Sequence, residues 1–242
     1  MKIKTNLYRP FGWFALIAWA AGPLALAAQQ NSYTVSWLGI PVVDVSVVWQ
    51  ETDSVWSAEY RATSRDWFNR VYAVDNSYRI DMHPVTLRPL KFEKLIVENN
   101  NSSHFVTKYD TTAEKAIYAN GLERHWRPDD MTLFSSLAWV ERHAWMAGES
   151  DTFTVEIEGI FWAVEATCSA VTTTESGMEL VQVGVTFLGI RSGEAVLSST
   201  DIVTALLPGE KHFLRFTIDR IQRRIQDIRF GRIPFQVRAT IN

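Results

Sequence analysis

The chain has 242 residues, a formal charge of -3, 47% hydrophobic and 12% aromatic residues, and one cysteine. That charge leaves no basic footprint for nucleic acid, and the lone Cys168 excludes an intramolecular disulfide. The fold must therefore be held by its core, for which the apolar and aromatic supply is ample.

The N-terminus carries Lys2, Lys4 and Arg9, then an apolar run from Phe11 to Leu26, then Ala25-Leu26-Ala27. This order predicts a secretory signal peptide over 1–27, cut after Ala27 or Ala28, and a single β-rich domain over 28–242. The expected location is the periplasm of a Gram-negative bacterium, or secretion from it. Retained, the run approaches the roughly 18 residues needed to span and would serve as a membrane anchor instead. No later stretch is apolar for long enough to cross a membrane as a helix, so no spanning is expected once the signal is removed.

Tyr33, Val35 and Trp37 alternate with Thr34 and Ser36, which predicts a strand broken by a bend or bulge at Leu38-Gly39-Ile40-Pro41. Val43 to Trp49 and Trp56 to Ala62 repeat the period of two. The period lapses between Ser64 and Asn76, where Trp67, Phe68, Val71 and Tyr72 suit a helical turn or wide loop. Strands follow over Tyr78–Met82, Leu90–Val97 and Phe105–Tyr109. Asn120-Gly121 between two such runs is the strongest hairpin signal, because it accepts positive φ.

From Asp129 to Gly148 the pattern turns helical, with Leu133, Phe134, Leu137, Ala138, Ala144 and Trp145 on one face. Thr132, Ser135, Ser136, Arg142 and His143 then fall on the opposite, polar face. Asp129 or Asp130 is placed to cap the first turn, and Gly148 to supply the left-handed stop. Further strands follow from Phe153 to Cys168 and from Val181 to Phe187, joined by a turn near Glu175-Ser176-Gly177. Glu194 to Leu207, ended by Pro208-Gly209, and Lys211 to Ile218 complete the series. Ile218, Ile221, Ile225 and Ile228 recur at helical spacing, predicting a short helix that ends at Gly231. Ile233 to Ile241 closes the chain as a strand. The six residues from Val35 to Ile40 echo those from Val185 to Ile190, as a duplicated half or a shared glycine bend would require.

The opening Tyr33-Thr-Val-Ser-Trp-Leu-Gly39-Ile-Pro41, the segment from Tyr78 to Glu93, and the helix around Asp130, Ser135, Leu137 and Arg142 resemble the exported bacterial family known as domain of unknown function 3108. The resemblance spans most of the chain after the leader. It implies an exported β-rich fold without an established reaction, and it carries no catalytic residue.

The fold expected is mostly β: a large antiparallel curved sheet, as a sandwich or incompletely closed barrel, with one or two short helices. Gly39, Pro41, Asn120, Gly121, Asp130 and Gly148 are structural positions within it. No catalytic constellation, metal site or cofactor is expected. The histidines lack ligand spacing, Ser135 and Ser136 lie too far along a helix from His143, and Glu156-x-Glu158 suits the solvent face of a strand. Most tryptophans fall in phase with the core, but Trp139 shares the polar side with Arg142 and His143. These three form the candidate ligand or partner surface.

The expected function is that of an exported, non-enzymatic periplasmic protein binding a hydrophobic ligand, such as a lipid, or an envelope component. The alternatives are a protein-protein assembly module of the envelope and a glycan-binding or carbohydrate-active protein.

Overall fold

The computed structural model describes residues 29–99, 101–197, 201–206, 213–232 and 235–242. The predicted leader lies outside them. Eight strands come first: β1 (Gln29–Trp37), β2 (Ile40–Glu51), β3 (Trp56–Ser64), β4 (Asp75–Met82), β5 (Pro89–Glu98), β6 (Asn101–Asp110), β7 (Lys115–Tyr118) and β8 (Glu123–His125). Seven follow: β9 (Asp130–Thr132), β10 (Ser150–Ile157), β11 (Ile160–Thr173), β12 (Glu179–Gly193), β13 (Phe213–Asp219), β14 (Arg224–Arg232) and β15 (Phe235–Ile241). The helices are α1 (Asp66–Asn69), α2 (Leu133–Arg142) and α3 (Ile202–Leu206).

All fifteen strands join one sheet, ordered β8 to β1 and then β15 down to β9. Every neighbour in space is thus a neighbour in sequence, except that β1 pairs with β15 and β8 does not pair with β9. The sheet is a meander joined at the chain ends and open in its middle. It is antiparallel apart from the short β9–β10 pair.

α2 shows how far the sheet curls. Ten residues make a helix of about 15 Å, yet α2 packs against β4, β9, β10 and β14. β4 and β10 are nine strands apart in the sheet order, which at about 4.8 Å per strand is over 40 Å if flat. The sheet must wrap the helix. Phe134 stacks with Tyr78 and Phe92 at ring-centroid distances of 4.9 and 5.4 Å and leans on Tyr60 at 4.9 Å. On the other side Glu141 accepts the Ile225 N–H at 3.0 Å. One core cluster runs through α2 and most strands of both halves.

Several local expectations are corrected, among them the strand expected over Glu194 to Leu207, where Ile202–Leu206 form α3 instead. α2 is shorter than 129–148. Thr132, not an aspartate, is its N-cap, accepting the Ser135 N–H while the Ser135 hydroxyl accepts the Thr132 N–H. Asp130 is buried in β9 and closes the preceding turn by accepting the Arg127 N–H at 2.8 Å. His143 ends the helix in extended backbone. Gly148, at φ +82°, serves a later turn and donates to the Cys168 carbonyl. Nor are Thr132, Ser135 and Ser136 a solvent face, because they are buried. The pattern assumed one covered side, whereas α2 is covered around most of its circumference.

The isoleucine run is the hairpin β13–β14, not a helix. A register shift beside Ile218 leaves Ile225 and Ile228, three residues apart, facing Ile218 and Phe216 on β13. The bulge imitates a helical interval. Ile221 sits exposed in the turn, whose N–H groups at Ile221 and Gln222 bind the buried Asp219 carboxylate. The echoed segments also differ in form. Leu38-Gly39 is a tight turn between paired Trp37 and Ile40, while Gly189 lies at an irregularity within continuous β12.

Asn120-Gly121 does turn β7 into β8, with Gly121 at φ +81° and the Asn120 side chain accepting the Leu122 N–H. Pro41 is the second residue of β2, two positions after Gly39, which has φ +84°.

Candidate functional site

The helix end expected to present a binding surface is satisfied within the chain. Trp139 is half-buried, its ring 4.9 Å from Phe153, 5.4 Å from Trp145 and 4.7 Å from His143. His143 Nε2 lies 2.7 Å from Glu149 Oε1. The Arg142 guanidinium lies 3.4 Å from the Trp56 ring centre, and Trp56 stacks on Trp49 at 4.5 Å. Burial lowers the Arg142 pKa, against the raising effect of Glu51 and Glu141. Trp139 and His143 pack on each other towards β10, while Arg142 packs separately over Trp56 of β3, so the helix end is held to both strands.

The opening between β8 and β9 is bridged by side chains. Glu156 on β10, expected to face solvent, is buried and accepts the hydroxyls of Tyr109 and Tyr118, both at 3.1 Å, and the Gly159 N–H at 2.5 Å. Burial raises its pKa against those donors. Trp126 fills the same gap against Tyr109 and Phe161. Lys94 on β5 pairs with Glu158 in the β10–β11 turn and, at 3.1 Å, with Asp201 before α3. Asp201 also accepts the Tyr78 hydroxyl at 2.8 Å and the Thr204 hydroxyl at 2.7 Å. Burial raises its pKa, but the Lys94 ammonium and these donors outweigh burial and leave it below the usual value. Glu98 accepts from Tyr72, Asn76 and the Ile202 N–H.

The cavity beside Lys94, Phe134, Glu156 and Glu158 holds about 20 Å³. That is room for one water and far too little for an acyl chain. Among the described residues no group of three or more His, Cys, Asp or Glu side chains is placed to hold a metal ion, and no helix is long and apolar enough to cross a membrane.

The sequence does contain a signal for this network. On β5, Lys94 and Glu98 fall in phase with Phe92 and Ile96, so the inward set carries the charges while Leu95 and Val97 face out. Reading apolar as inside hides such an arrangement.

Several exposed apolar side chains lie at or near the rim where β1 turns into β2, while others, such as Val85, Met146, Ile190 and Ile221, are exposed elsewhere. Trp37 is 43% exposed, Leu38 61% and Ile40 56%, and beside them in α1 and its turn Trp67 is 47% and Val71 73% exposed. The Trp67 indole N–H donates to the Pro41 carbonyl at 3.0 Å, fixing α1 against the turn. Trp37 and Trp67 are thus not core residues. Both end a strand or begin a helix at the rim, where the sheet no longer covers them. Sequence alternation places Trp37 in phase with Tyr33 and Val35 but does not show where the strand stops being covered.

A single antiparallel sheet curled around a central helix, its opening closed by side chains, defines a barrel-like β protein. Residues 32–131 match the family model described as Protein of unknown function (DUF3108), and this stretch, from β1 into β9, belongs to that family. The match ends just before α2. Among solved structures the chain is similar to a β-barrel-like protein of the domain of unknown function DUF1849 from Brucella abortus. The identity is 7%, the TM-score 0.55, and the likeness covers 90% of this chain and 96% of that one. At that identity the likeness is one of fold. No curated protein matches the chain.

Proposed function

We propose that this is an exported, non-enzymatic protein of the cell envelope that acts by binding an envelope component with its outside surface. The observation that carries the reading is the exposed rim of Trp37, Leu38, Ile40, Trp67 and Val71, set on a molecule whose concave face is taken up by α2. Large apolar side chains left exposed near one turn mark a candidate interaction surface. Enclosure of an apolar ligand is less favoured, since Phe134, Leu133 and Val140 occupy the space such a ligand would need.

Two measurements test this in cells expressing the full chain. Fractionation should recover it in the periplasm or envelope; recovery in the cytoplasm would overturn export. A photoreactive leucine analogue in place of Leu38 should cross-link to a lipid or protein of the envelope. If it cross-links to nothing there, the rim is not the binding surface.

A further inference from the structure

The rim turn is built against its own local preferences. Leu38 and Gly39 have φ of +51° and +84°, both positive as in a type I′ turn, which favours Asn, Asp or Gly at its first position. Leucine there carries backbone strain, and its side chain is also left in water. Among the described residues the other non-glycine positions at positive φ are polar or packed. Asn99, Glu114, Glu158 and Arg223 are polar, and Leu87 is packed against the core. Among the described residues Leu38 alone combines positive φ, an apolar side chain and strong exposure.

Resting on the reading above, we propose that the β1–β2 turn is a membrane-surface anchor, whose partner is the interface of a phospholipid bilayer. The arrangement fits that partner in three respects. Leu38 and Ile40 form a convex apolar apex, which a bilayer can receive and which offers a second folded surface little to close around. Trp37 and Trp67 stand beside the apex, and such amphipathic rings favour the headgroup level. Arg70, at the end of α1 between Trp67 and Val71, is exposed and makes no ion pair among the described residues, a charge complementary to lipid phosphate. Insertion would be shallow and reversible, because only the turn and one short helix take part.

The opposite end of β1 is Gln29, where the segment 1–28 joins. Eight residue steps of strand separate it from Trp37, roughly 27 Å. The tip thus contacts a membrane independently of whether that segment is retained.

The test is co-flotation of the purified chain with phosphatidylcholine vesicles, with and without phosphatidylglycerol, all proteins being matched in N-terminal processing. Leu38→Asn is the decisive variant, because asparagine suits the turn better. It should melt at the same or a higher temperature and yet bind vesicles about tenfold more weakly, as expected for losing one inserted leucine. Arg70→Gln should remove much of the gain from anionic lipid while leaving binding to phosphatidylcholine. In brominated-lipid vesicles the tryptophan fluorescence should be quenched, and less so in Trp37→Phe. Equal flotation of Leu38→Asn and the unaltered chain would overturn the anchor, as would absence of flotation by the unaltered chain. If flotation fails but Leu38 still cross-links to an envelope protein, the anchor falls and the broader function stands.

Discussion

Glu141 is one of the clearest single-residue consequences of enclosing α2. Its carboxyl is raised from 4.5 to about 7, first by burial, with the Ile225 N–H and the charges of Arg142 and Arg224 pulling the other way. For an acid raised in the folded state, the unfolded chain releases its proton first. Stability therefore falls as pH rises from 4.5 to about 7 and levels off above. The full effect is on the order of 3 kcal/mol at 1.36 kcal/mol per unit. Glu141→Gln keeps an oxygen for the Ile225 N–H and removes the titration, so its melting temperature should change less over that range than that of the unaltered chain. Parallel curves would show that Glu141 is not buried as described. Lys94 poses the converse case, a buried cation balancing two buried carboxylates. Lys94→Met should cost about 3–5 kcal/mol in denaturant unfolding, since Glu158 and Asp201 would be left without it. A loss below 1 kcal/mol would mean the site is open to water.

At the scale of elements, α2 stands on its cap. Thr132→Ala removes the hydroxyl that accepts the Ser135 N–H, and should lower stability by about 1 kcal/mol. Thr132→Ser should recover most of that loss, because the oxygen returns. Gly159 tests the turn that carries Glu158 across the opening. A Cβ there would lie 2.6 Å from Val196 Cγ1 and 2.7 Å from the Glu194 carbonyl at φ +89°, so Gly159→Ala should destabilise beyond the usual cost of a strained turn. Much of this element plan was legible beforehand. Strict alternation marked β1 to β4 and β10 to β12, and Asn120-Gly121 marked its hairpin, because period and turn chemistry are local properties. α2 was legible in kind but not in extent, since its buried serines and its threonine cap depend on being wrapped by distant strands. β14 was misread because one bulge at Thr217/Ile218 gave isoleucines an interval of three. The rim was invisible for a similar reason: exposure at Trp37 and Trp67 depends on where neighbouring strands end.

For the whole molecule, the fold turns a fifteen-stranded sheet into a nearly closed wrap without a fifteenth ladder to seal it. Carboxylates with tyrosine and lysine partners bridge the opening, and a helix replaces what could have been a ligand chamber. Leu133, Phe134 and Val140 of that helix pack into the core that the sheet surrounds. Hydrogen exchange measured along the chain tests this most directly. Amides from Leu137 to Glu141 should exchange as slowly as those of β4 and β12, through global unfolding, and adding excess fatty acid should leave them unchanged. Faster exchange in α2 than in the flanking strands, or protection gained there on adding fatty acid, would show that the helix vacates the concave face and would contradict the account.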